Sequence, residues 1–177
     1  SNADAGHTYD HLLRNHRRRR WTTPKLARKR WSMGLFVWYF GTRGTAGKWT
    51  DVGHHTIANG PRYKGLLHDI FIKGRLSDDM SLYIHRPSVT DPSVAPAGDD
   101  TFYVLSPVPH LGWKNKVDWQ KEMPTYRAKV AAEVEKLMPG FETCISTETI
   151  FTPETFEDRY LSPHGAGFSI EPRILQS

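Results

Sequence analysis

The stretch SMGLFVWYFGT, residues 32–42, decides how the chain is read. Its apolar heart, Met33–Phe40, falls well short of the roughly 18 residues a membrane-spanning helix needs. A continuous apolar and aromatic run of this length suits a β-strand buried on both faces. Working outward, GTRGTAGKWTDVG, residues 41–53, reads as a Gly-rich surface connection, and HHTIAN, His54–Asn59, as a second strand. Tyr63, Leu67, Ile70 and Phe71 fall at helical spacing, and Gly74 closes that helix. SLYIH, residues 81–85, alternates, with Leu82 and Ile84 on one face and Tyr83 and His85 on the other. TFYVLS, residues 101–106, and FETCISTETIF, residues 141–151, read as two further strands. Between them a helix carries Tyr126, Val130, Val134, Leu137 and Met138 on one stripe, and Pro139-Gly140 ends it. Thr152 and Pro153 open a last helix to about Tyr160, as its cap and first helical residue. Upstream, residues 4–15 and 24–31 read as two short helices. The pattern predicts an α+β fold, an antiparallel or mixed β-sheet of four to six strands flanked by helices.

The formal net charge of +5 is unevenly distributed. Residues 1–50 carry about +9 and residues 51–177 about −4, and the excess sits in RNHRRRRWTTPKLARKR, Arg14–Arg30. Such a segment can attract nucleic acid, anionic lipid or an acidic partner, or form a solvated helical surface. Ser1-Asn2-Ala3 reads as a cleavage scar, residues 4–31 as a basic helical linker, and residues 32–177 as the domain proper. A single cysteine, Cys144, rules out an internal disulfide and suits a reducing, cytoplasmic setting.

Local chemistry in the sequence is sparse. His54 and His55 are adjacent on an expected strand, so their side chains should point to opposite faces and not share an ion. No HExxH or HxH spacing supports a metal centre, and none is expected. GFSIE, residues 167–171, lacks the second glycine of a nucleophile elbow. Cys144, expected within a strand, reads as a small core residue. The cluster Gly165-Ala166-Gly167 is not a dinucleotide loop, since it follows a Pro-His turn and lacks the third glycine. The 21 aromatic residues are the remaining signal. Trp38, Tyr39, Phe40, Tyr83, Phe102 and Tyr103 could line a large apolar cavity or pack a core, and composition does not choose between these.

Several segments taken together resemble the bacterial-type phytoene desaturases, also called phytoene dehydrogenases, the flavoenzymes of carotenoid synthesis. They are SMGLFVWYFGT, HHTIANGPRYKGLLHDIF, SLYIHRPSVTDPSVAPAGDDTFYVLSPVPHLG, DW (118–119), MPGFE (138–142), FTPETFEDRYLSPHGAGFSIEP (151–172) and LQS (175–177), in family order. ADAGHTYDHLL, residues 3–13, also looks like the family's link out of its flavin domain.

The resemblance implies the substrate domain of a flavin amine oxidase-like fold, whose sheet roofs an apolar channel. It implies FAD as cofactor, held by a flavin domain whose glycine-rich elements are not in this sequence. That domain would be the intramolecular partner, and the isolated chain would neither bind FAD nor turn over substrate. The substrate implied is a long isoprenoid hydrocarbon, phytoene or a relative, taken up peripherally at the membrane by a cytoplasmic protein. Nucleic acid is not an expected partner. On this reading His164 and Glu171 are the catalytic candidates, with Arg86 a weaker one. Trp38, Phe40, Tyr83, His85, Tyr103 and Phe168 would contact substrate. The alternative is a non-catalytic lipid-binding or membrane-adsorbing module built on the Arg17–Arg20 cluster; a ketolase or a desaturase of a shorter isoprenoid is a variant within the first class.

Overall fold

Residues Gly34–Thr42 of the opening stretch form β1, in a computed structural model that describes residues 3–18 and 20–172. Ser1 and Asn2 of the expected scar, Arg19 of the basic run and the closing LQS lie outside the described residues. The other strands are β2 (His55–Asn59), β3 (Ser81–His85), β4 (Asp100–Val108) and β5 (Ile145–Phe151). They make one sheet in the order β2-β3-β4-β1-β5, every pair antiparallel. The observed fold is α+β, as the alternation of patterns predicts.

One helix covers one face of this sheet. It is α4 of the chain, Trp119–Leu137, counted after α1 (Ala5–His7, continued by a wider turn through Leu12), α2 (Thr23–Leu26) and α3 (Tyr63–His68). The Asp118 carboxylate caps α4 by accepting from the Lys121 N–H. Its stripe of Tyr126, Val130 and Val134, joined by Trp119 and Met138, is buried with Phe36, Trp38, Phe40, Leu82, Ile84, Phe102 and Val104 of the sheet. Phe36 lies 5.0 Å from the Tyr126 ring and 6.1 Å from Trp119. Each such side chain is worth about 1.5–3 kcal/mol in burial, so this layer is the main source of stability.

The last strand starts later than the sequence reading placed it. Phe141–Cys144 is a helical turn, α5, and β5 begins only at Ile145. Gly140 enters that turn with φ 75°, and the turn drives Phe141 into the core against Trp38. Cys144 is therefore half-buried at the end of a turn, not a core residue of a strand. The helix expected over 24–31 is also shorter, because residues 30–34 pair instead with the chain's last described segment. Ser32 N–H donates to Ser169 O, Gly167 N–H to Met33 O, and Glu171 N–H to Arg30 O. The final helix, α6 (Pro153–Tyr160), has the expected start, with Thr152 and Thr155 forming a reciprocal capping box.

Candidate functional site

The face of the sheet opposite α4 carries the candidate site. Strand alternation sends Tyr39 of β1, Tyr83 and His85 of β3, and Tyr103 of β4 to this side, with His55 and Ile57 of β2 and Phe151 of β5. Their rings form a chain across all five strands. His55 lies 5.8 Å from Tyr83, Tyr83 5.8 Å from Tyr103, Tyr103 5.7 Å from Tyr39, and Tyr39 5.2 Å from Phe151. At the usual spacing of about 4.8 Å between strands, this belt runs roughly 19 Å. Beyond it, Tyr160 of α6 sits 6.2 Å from Phe151. The belt is partly open, with Tyr39 38% and Ile57 69% exposed.

Three of the belt's groups are shifted toward their uncharged forms. Burial pushes the Tyr103 phenol up to about 12, helped by its hydrogen bond with Tyr83 and by the Tyr39 hydroxyl. Burial, then Tyr160, raises Tyr39 as well. Burial also lowers His85, and its neighbours His54 and His55 add to the effect, so its imidazole is held uncharged. Along its tyrosines and Phe151 this surface offers apolar contact and ring edges, and its imidazole nitrogens are confined to the β2 end.

Of the residues expected to contact substrate, Tyr83, His85 and Tyr103 come together here. Trp38 and Phe40 do not: both are buried beneath α4, on the far side of the sheet. Trp38 donates its indole N–H to Glu148 and carries the Arg127 guanidinium 4.2 Å above its ring. An aromatic run apolar on both faces says nothing about which alternate residues meet a helix. Phe168 is 58% exposed and lines a separate hollow of about 560 Å³ with Phe156 and Tyr160, which meet the belt at Phe151. Sequence reasoning placed no weight on His55, Phe151 or Tyr160, and set Tyr39 beside its buried neighbours. The pairing of Tyr39 with Tyr103 in one register is the signal that separates them.

Arg86 is an internal clamp. It is 3% exposed, and its Nε and Nη2 donate to the two carboxylate oxygens of Asp100 at 3.1 and 2.8 Å. Nη1 donates to the carbonyls of Lys48 and Trp49.

His164 and Glu171 stand away from the belt, at the Gly34 end of β1. His164 lines a cavity of about 500 Å³ with Trp31, Met33, Ile70, His110 and Trp113. Its ring meets Trp31 edge-on at 5.8 Å and His110 at 5.9 Å. Glu171 pairs with Arg30 at 3.2 Å. Burial, then the neighbouring His164, lowers His110 to about 4, against an opposing pull from Glu171.

The glycine clusters do not fit a flavin. A Cβ on Gly165 would stand 2.1 Å from the Pro153 carbonyl oxygen, and one on Gly167 2.4 Å from Leu35. These glycines let the chain press against β1 and the start of α6, which leaves no cradle for a pyrophosphate. In the Gly44–Gly47 turn the Gly44 N–H already donates to the Asp99 carboxylate.

The histidines are arranged differently from the sequence expectation. His54 precedes β2 and is not yet bound by its alternation, so its ring turns to the same side as His55 and His85.

No family model matches the chain. It is 69% identical over its whole length to a neurosporene-forming phytoene desaturase of Cereibacter sphaeroides, covering 34% of that protein. The same identity and coverage relate it to the neurosporene-forming phytoene desaturase of Rhodobacter capsulatus. A lycopene-forming phytoene desaturase of a Paracoccus species is 45% identical, again over the whole chain and 35% of the relative. The chain thus spans about a third of the length of the curated relatives it matches. With that similarity running from end to end, the chain belongs to the bacterial phytoene desaturase family.

Proposed function

We propose that this chain is the substrate-facing part of an FAD-dependent phytoene desaturase of carotenoid biosynthesis, and that a long isoprenoid hydrocarbon lies along the uncovered sheet face. The observation that carries this reading is the aromatic belt from His55 to Phe151. A hydrocarbon presents no charge and no hydrogen-bonding group, so its affinity comes from desolvation, about 0.8 kcal/mol per buried CH₂. Tyr39, Tyr83, His85 and Tyr103 supply apolar area, and burial favours the uncharged forms of Tyr39, His85 and Tyr103. Phe168, Tyr160 and Phe151 extend the same surface toward the hollow beside α6.

The flavin would be held by polypeptide other than this chain, in keeping with relatives about three times as long. No step is assigned to His164 or Glu171, since the first faces a separate cavity and the second is engaged by Arg30. No helix among the described residues is long and apolar enough to cross a membrane. Hydrocarbon uptake by peripheral contact would use exposed Ile57, Ile72, Leu161 and Phe168.

The test is a chimera in which this chain replaces the corresponding third of the Cereibacter sphaeroides enzyme, assayed for phytoene consumption. The chimera is expected to be active. Tyr103→Asp within it should lose at least about tenfold, because desolvating a carboxylate against hydrocarbon exceeds the ~1.4 kcal/mol that a factor of ten represents. A folded, flavin-loaded but inactive chimera defeats the proposed function. Full activity of the Tyr103→Asp chimera removes the belt from the site.

A further inference from the structure

At the β2 end of the belt three imidazoles converge. His55 opens β2 and faces His85, the last residue of β3, in register. His54 reaches over from the preceding residue, with its Nε2 2.9 Å from the Nε2 of His85. One ring nitrogen from each of the three lies within 4.8 Å of the others. The remaining contacts orient the rings: His54 Nδ1 is hydrogen-bonded to the Thr90 hydroxyl and His55 Nδ1 to the Tyr83 hydroxyl. The first contact leaves His54 Nε2 on His85, and the second leaves Nε2 as the ligand atom His55 can offer, the arrangement in which outer partners fix a metal-ligating histidine. Two facing Nε2 atoms need one proton between them, or else both can give lone pairs to a shared cation.

We propose that His54, His55 and His85 bind one divalent cation of the zinc class through three imidazole nitrogens, with the fourth position open to the aromatic face. Metal–nitrogen distances of 2.0–2.1 Å place tetrahedral ligands about 3.3 Å apart. The His54–His85 separation has to open by only about 0.4 Å to reach that spacing. His55, exposed at the edge of the sheet, swings in to complete the set. Three neutral nitrogen donors with no carboxylate in the set favour zinc, cobalt or nickel over magnesium or calcium. The bound ion would also tie edge strand β2 to β3 and place a Lewis acid at one end of the aromatic surface. The site stands independently of the hydrocarbon reading.

Titration of the 177-residue chain with Co²⁺ tests it directly. One equivalent should produce the intense visible d–d bands of four-coordinate cobalt, and Zn²⁺ should bleach them. His85→Gln and His55→Gln should each weaken binding at least about tenfold, and Thr90→Val by roughly 10–100-fold through loss of ring orientation. His55 is exposed, so its variant retains the fold even where His85→Gln does not, and circular dichroism confirms this. The chain has another histidine pair at helical spacing, His7 and His11, with rings stacked at 4.8 Å. Absence of the bands, their survival in His55→Gln, or their loss in His7→Gln alone would overturn the proposal.

Discussion

Arg86 shows how much a single side chain can organise. Its guanidinium binds Asp100 through two nitrogens, while Ser88 and Thr45 donate their hydroxyls to the same carboxylate. Removing one partner of a buried pair strands the other charge, so Arg86→Met should lower unfolding free energy by about 3–5 kcal/mol in urea at neutral pH. Asp100→Asn in the same chain should recover part of that loss, a coupling that a double-mutant cycle reads. Burial alone would raise the Asp100 carboxyl, but hydrogen bonds from Arg86, Ser88 and Thr45 outweigh it and hold the group below the usual carboxylate range. Its stabilising contribution is therefore complete above the unfolded-chain value of about 3.9 and is lost as pH falls through the lower folded value. The sequence marks Arg86 as a charged residue after a strand and a weaker catalytic candidate; its burial against Asp100 becomes visible once β3 and β4 are paired.

At the scale of elements, the seat of α6 is the most exacting. The helix starts at a capping box, and removing the hydroxyl in Thr152→Ala should cost about 1 kcal/mol. Gly165 has φ 62° and lies so close to Pro153 that even a methyl group would meet its carbonyl. Gly165→Ala should therefore cost about 1–3 kcal/mol from backbone strain alone, with further loss as α6 is displaced. Thermal melts of the two variants decide this; a Gly165→Ala protein as stable as its parent would show that the turn relaxes freely. The helix start was legible from Thr152-Pro153. That the glycines form no dinucleotide loop was legible, but not the surface they press against, because Pro153 and Leu35 reach them only through the fold.

For the whole molecule, acid is the most informative perturbation. His110, held near 4 chiefly by burial and then by His164, resists protonation in the folded chain. A histidine lowered on folding contributes stability above its unfolded value of about 6.5, and that contribution fades as pH falls toward the folded value. His85 is lowered as well and acts in the same direction. The melting temperature should therefore decline from about pH 6.5 to 4, and the decline should be shallower in His110→Gln. A flat profile across that window would show that His110 is not desolvated beside His164 and Trp113. Much of this architecture follows from local chemistry. The alternation in SLYIH, the stripe on α4 and the Thr-Pro start of α6 determine their elements, because period and capping are properties of neighbouring residues. Which face of β1 meets α4, and hence why Tyr39 serves the belt while Trp38 and Phe40 serve the core, was decided only by strand pairing. The meeting of His54, His55 and His85 was decided the same way: His85 lies some thirty residues further along the chain, and His54 escapes strand alternation by a single position.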